Sequence, residues 1–150
     1  MNRVAKRILV VSFTFPPDPG IGGRRWRKFI KKFQRLGIDT TVVSGNLGMS
    51  GLNFSRSNTE EYGEIYRINA EYPRLLKNGP KTMIEKIVYR LLLLKMKFGY
   101  SGNYYDVSYN WSGNLLPIIK KIIADREVDI LIASGGPFAY LHTLLSLKKE

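Results

Sequence analysis

The sequence predicts an α/β fold, an open parallel sheet with helices on both faces, forming one domain. Its first strand candidate, Ile8-Leu-Val-Val-Ser-Phe13, is apolar on both faces, as a strand covered by helices on both sides must be. Strand and helix patterns then alternate, and twice a strand runs through a Gly-containing loop straight into a helix. With 150 residues, 44% of them apolar, the chain can bury one core.

Arg3, Lys6 and Arg7 precede the first strand in the manner of a secretion signal. The apolar run is short, lacks a small-residue cleavage pattern and ends at Pro16-Pro17, so it reads as a buried strand. The loop Thr14 to Gly23 holds three prolines and three glycines. From Arg24 the apolar residues Trp26, Phe29, Ile30, Phe33 and Leu36 recur every three or four positions, which predicts a helix with Trp26 in the core. Gly37 stands where a left-handed C-cap is wanted, and Thr40 to Ser44 reads as a second strand. This strand–loop–helix–Gly–strand order is a βαβ unit with parallel strands, so the sheet is Rossmann-like.

Asn46 to Gly63 is polar and glycine-rich and predicts a long loop; Glu64 to Ile68 alternates like a third strand. Lys81 to Phe98 repeats apolar residues at Ile84, Ile87, Val88, Leu91, Leu94 and Phe98, with Lys86, Arg90 and Lys97 mostly opposite, a basic amphipathic helix. Tyr100 to Asn110 reads as loop, followed by a helix through Leu115, Ile118, Ile119, Ile122 and Ile123 with Pro117 near its start. Val128 to Ala133 is another strand, Ser134 to Pro137 a turn, and Phe138 to Lys149 a last helix. In an open parallel sheet, ligands bind at the carboxyl ends of the strands, so the loops after Phe13 and after Ala133 are expected to line one cleft.

Charge narrows the partners. The formal net charge is +12, which favours nucleic acid, an acidic membrane surface or phosphorylated small molecules. There is no cysteine and one histidine, so no metal ligand set is expected. No apolar run reaches the ~20 residues of a membrane span. A dinucleotide fingerprint fails, because counting from Gly20 and Gly22 its third glycine falls on Arg25; a Walker A motif fails for want of Gly-Lys-Ser/Thr. What survives is anion binding: amides at a helix start, bared by Gly22 and Gly23, suit a phosphate, and Arg24 and Arg25 become favourable there only beside an anion.

The stretch ILVVSFTFPPDPGIGGRRWRKFIKKFQRLGIDTTVVSG resembles the opening of family 4 glycosyltransferases, with its strand, Pro-Pro, Gly-Gly loop and Arg-bearing helix. NWSGNLLPIIKKIIADREVDILIASGGPFAYLHTLLSLKKE is similar to a later stretch of the same family, where a Trp opens a helix and a Ser/Gly/Pro turn follows a short strand. Together these cover about half of the chain. The resemblance implies the N-terminal, acceptor-side half of a GT-B enzyme that transfers a sugar from a nucleotide-sugar donor without a metal or other cofactor. Its C-terminal nucleotide-sugar-binding domain is expected to be missing from this chain, and the fragment alone to be inactive.

Carried over, Gly22 and Gly23 become donor phosphate or sugar contacts, and Ser134, Gly135 and Gly136 become cleft lining. Asp106 and Trp111 are read either as acceptor-site lining or, for Asp106, as a turn cap. His142 is expected to pack partly buried in the last helix rather than act as a base. Two readings attach to the amphipathic helix: its apolar stripe covers the sheet and its cations are solvated, or Lys86, Arg90, Lys95 and Lys97 hold it on an anionic membrane. The second fits a glycan or lipid-linked acceptor and a cytoplasmic protein peripheral on the inner membrane face. The competing class is a basic nucleic-acid-binding domain, favoured by the charge and nine tyrosines but lacking a recognised motif.

Overall fold

The computed structural model describes residues 6–17, 20–46, 54–99 and 106–147. Its elements are β1 (Arg7–Ser12), α1 (Ile21–Arg35), β2 (Asp39–Asn46), β3 (Phe54–Thr59), β4 (Gly63–Asn69), α2 (Arg74–Asn78), α3 (Met83–Gly99), α4 (Tyr109–Arg126), β5 (Ile130–Ser134) and α5 (Ala139–Ser146). The sheet order is β3-β4-β2-β1-β5. β1 pairs in parallel with β2 on one side and β5 on the other, β2 pairs in parallel with β4, and β3 alone is antiparallel, against β4.

The expected α/β class, with a mostly parallel sheet covered on both faces, is therefore present. On one face Trp26 and Ile30 of α1 pack with Ile8, Val10, Val42 and Ile65. On the other, Leu115, Ile119 and Ile122 of α4 and Tyr140 and Leu144 of α5 pack with Leu9, Val11, Val43 and Ile68. Each buried strand sends alternate residues to the two cores, which is why β1 reads as continuously apolar.

Helix α1 ends as expected: Gly37 has φ 72°, its N–H donates to Gln34 O at 2.9 Å, and Ile38 N–H donates to Phe33 O at 3.0 Å. This is a Schellman motif, closed by the packing of Phe33 and Ile38 in the same core.

Several expectations need correction. α1 begins at Ile21, not Arg24, so Gly22 and Gly23 lie in its first turn. The long loop expected between Asn46 and Gly63 contains β3; residues 47–53 of it lie outside the described residues. β3 is a polar edge strand, exposed along most of its length, so backbone pairing without alternating burial holds it. α4 starts at Tyr109, which puts Pro117 well inside the helix. Both Pro117 and Gly113, whose carbonyl loses its partner, face solvent, where water can replace the missing bond.

The largest correction concerns α3. Its predicted core stripe points outward: Ile84, Ile87, Val88, Leu91, Leu94 and Phe98 are all exposed, Met96 is buried, and the helix packs chiefly against α2. His142 is likewise exposed rather than packed, while Trp26 is in the core as expected.

Candidate functional site

The chain order turns at β1. From β1 the connections move outward through β2 and β4, and the last strand returns to the other side of β1 as β5. The crevice above the carboxyl ends of β1 and β5 is thus the switch point where open α/β sheets bind ligands. Ser12 and Ser134, the final residues of the two strands, are register partners across its floor. Residues 13–17 follow the first of them toward α1, which begins at Ile21, and the turn Gly135–Phe138 leads from the other into α5. Gly22, Gly23, Ser134, Gly135 and Gly136 are therefore brought to one rim.

Beneath the rim lies an aromatic stack. Trp111 meets Phe13 edge-on with centroids 5.2 Å apart and Tyr140 at 5.0 Å. The Tyr140 hydroxyl donates to the carbonyl of Ser134 and lies 3.4 Å from that of Val11, and burial pushes its pKa up to about 12. Trp111 is fully buried, so it supports the crevice from below and does not line it.

The two helix starts at the rim differ. At α5, Asp106 Oδ2 accepts the N–H groups of Phe138 and Ala139, each at 2.8 Å. Its Oδ1 accepts Ser108 N–H at 2.8 Å and the Ser108 hydroxyl at 2.6 Å. Burial works to raise the Asp106 pKa, but the bonds from the Ser108 hydroxyl and the Ala139, Ser108 and Phe138 amides outweigh it and hold the carboxyl below its usual value. Asp106 thus does what the capping alternative expects, across 32 residues of sequence, and takes two amides at the α5 start from within the chain.

At α1 the N-cap is Gly20, which has no side chain, and no acidic residue occupies the first turn. Arg24 N–H is the first to bond back, to Gly20 O at 3.2 Å, so the amides of Ile21, Gly22 and Gly23 precede the helical ladder. The glycines are there for closeness. A Cβ on Gly22 would stand 2.9 Å from Thr14 Oγ1, and one on Gly23 would stand 3.2 Å from Phe15 Cα. Arg24 and Arg25 are exposed on the second turn. On the opposite lip, Gly136 has φ 71°, which favours glycine, and a Cβ on Gly135 would strike the Phe138 ring at 2.7 Å.

Sequence reasoning missed Arg67. Near the end of β4, beside Ser44 of β2, its guanidinium donates to the Pro16 carbonyl and to Ser44 Oγ at 3.4 Å, fixing the first loop from below. The only sequence signal was an arginine within an alternating strand; its half-buried position and its reach to Pro16 follow from the fold.

A separate cleft of about 680 Å³ lies between α4 and the β3–β4 edge, lined by Arg7, Phe54, Arg56, Tyr66, Lys121 and Arg126 among others. Arg7 and Asp39, which open β1 and β2, place it toward the opposite ends of the strands. Its cations are largely answered internally. The buried Glu64 carboxylate takes Arg56 Nε on Oε1, and Arg126 pairs with Oε2 without hydrogen-bond geometry. Arg7 pairs with Glu127 at 2.8 Å.

Among the described residues no group of three or more His, Asp or Glu is placed to hold a metal ion, and no helix is long and apolar enough to cross a membrane. The fold defines an α/β domain with a five-stranded, mostly parallel sheet whose chain order turns at β1. No protein-family model matches the chain, and no curated protein matches it.

Proposed function

We propose that this domain is the acceptor-side half of a GT-B glycosyltransferase, in which the α1 rim meets the diphosphate of a nucleotide-sugar donor. One observation carries the reading: of the two helix starts at the switch-point crevice, α5 is held by Asp106, whereas α1 has a glycine N-cap and, among the described residues, no acid in its first turn. Amides there suit phosphate oxygens, and Arg24 and Arg25 lie one turn away. Arg67 holds the loop that carries them. Ser134, Gly135 and Gly136 form the facing lip, and a second domain supplies the other wall of the cleft. The acceptor is a glycan or a lipid-linked sugar, and the protein works at the inner membrane face.

Charge stabilisation of a leaving diphosphate needs donors preorganised on both sides of a cleft, so the crevice of this domain without a facing one binds weakly and does not turn over. NMR titration with uridine and guanosine diphosphates tests this. Backbone shifts concentrated at Ile21 to Arg25, weakened in Arg24→Ala/Arg25→Ala, are the expected result. An unperturbed α1 start, or polynucleotide binding that falls steeply with salt in its place, overturns the proposal.

A further inference from the structure

Helix α3 has two apolar faces. One looks inward, with Met96 buried and Tyr89, Leu92 and Leu93 half-buried. The other looks out: Ile84 is 75% exposed, Ile87 61%, Leu91 60%, Leu94 50% and Phe98 81%. The outward residues recur at three and four positions and form one continuous stripe along the helix. Single exposed apolar residues are ordinary, but a row of five on one helix marks a contact surface.

The border of this stripe has a definite charge. Lys86, Arg90 and Lys97, spaced by four and seven, run along one side, and Lys95 stands within the stripe on a stem long enough to carry its ammonium clear. Glu85 is the sole carboxylate of the helix, and it is already committed: its Oε2 accepts the N–H groups of Lys81 at 2.6 Å and Thr82 at 3.0 Å, while Thr82 Oγ1 accepts Glu85 N–H at 3.2 Å. That is a capping box, and it leaves no acid along the helix to neutralise the four cations.

We infer that α3 docks on an anionic lipid surface, with Ile84, Ile87, Leu91, Leu94 and Phe98 entering the acyl boundary and Lys86, Arg90 and Lys97 meeting the headgroups. An apolar stripe edged by cations needs a partner that is apolar within and negative at its rim, which an anionic bilayer is. A second copy of the chain fits poorly: pairing the stripe with itself would bring together two cationic borders on a protein already at +12. A nucleic acid would answer the cations and leave the stripe wet. The inference gives the inner-face placement proposed above its surface and rests on that part of the reading, but it uses no residue of the crevice, so its failure leaves the α1 donor site to be tested by the nucleotide titration.

Vesicle flotation of the full chain tests it, with phosphatidylcholine alone and mixed with phosphatidylglycerol. Binding is expected to the mixed vesicles and not to phosphatidylcholine alone. Lys86→Ala/Arg90→Ala is expected to weaken it about 25-fold, at roughly fivefold per cation lost. Leu91→Asp, at an exposed site that leaves circular dichroism unchanged, is expected to abolish it, and Ile87→Trp is expected to show a blue shift in fluorescence on the mixed vesicles. The inference fails if the chain binds neither vesicle, or if Leu91→Asp binds as well as the parent. It fails equally if sedimentation shows a dimer that Leu91→Asp dissociates, because a second copy then covers the stripe.

Discussion

Asp106 and Ala139 are joined by a carboxylate–amide bond of 2.8 Å that bridges the start of α4 to the start of α5. The same oxygen takes Phe138 N–H, so one side chain sets the height of the second lip of the crevice over the aromatic stack. Replacing Asp106 with Ala removes both the cap and the turn that positions it. The expected loss is about 1–2 kcal/mol in urea unfolding.

Asp106 also carries a pH signature. Its folded pKa lies below the ordinary value, so its contribution is fully present above the unfolded pKa and is lost as pH falls through the folded one. The acid limb of the stability curve in Asp106→Asn should be flatter than in the parent. Identical limbs would mean that the carboxylate charge plays no part in the cap.

Gly22 and Gly23 should resist enlargement for steric reasons alone. Ala at position 23 gains up to about 1 kcal/mol of helix propensity, but its Cβ would press on backbone atoms of Phe15, and overpacking of this kind costs about 1–3 kcal/mol. A net loss is expected on thermal unfolding. At position 22 the obstacle is a side chain, so Thr14→Ala should recover most of the loss in Gly22→Ala.

Glu64 is buried between two guanidinium groups, and its value depends on them. Arg56→Ala/Arg126→Ala strands the buried carboxylate and should lower the midpoint of urea unfolding. Adding Glu64→Met should return a large part of that, because an apolar side chain of similar length needs no partner. A triple variant no more stable than the double would show that the arginines act through packing instead.

Glu61 ties α1 to the β3–β4 turn through Lys31 and through Arg27 Nη2 at 3.0 Å. The hydrogen bond from Lys31 is foremost among the causes that hold its pKa at about 2. This contribution is present above the ordinary carboxylate range and disappears as pH falls toward 2. Carbon-detected NMR should find Glu61 titrating near that value in the parent and closer to its ordinary value in Lys31→Ala.

Much of this architecture is visible in one dimension because it rests on local signals. A run apolar on both faces located β1, period-two alternation located β4, three-to-four spacing located α1 and α4, and Gly37 marked the end of α1, since each signal is made by neighbours in the chain. The Thr82–Glu85 capping box is a local signal of the same kind, three residues apart in the chain. The glycines at 22, 23, 135 and 136 were recognisable as rim residues for the same reason, once two strand–loop–helix units were seen.

Other features exist only after folding. β3 is held by backbone bonds to β4 and has no apolar face of its own to announce it. Arg67 reaches Pro16 across 51 residues, and Asp106 reaches Phe138 across 32, distances over which no local pattern carries information. Trp111 has the composition of a binding-site aromatic and became a buried prop because Phe13 and Tyr140 close on it. The sharpest division falls on α3: its periodicity determined that it is an amphipathic helix, but both of its sides are apolar. Which side faced inward was decided by where α2 and the chain packed against it, and the stripe with the stronger sequence signal was left in water.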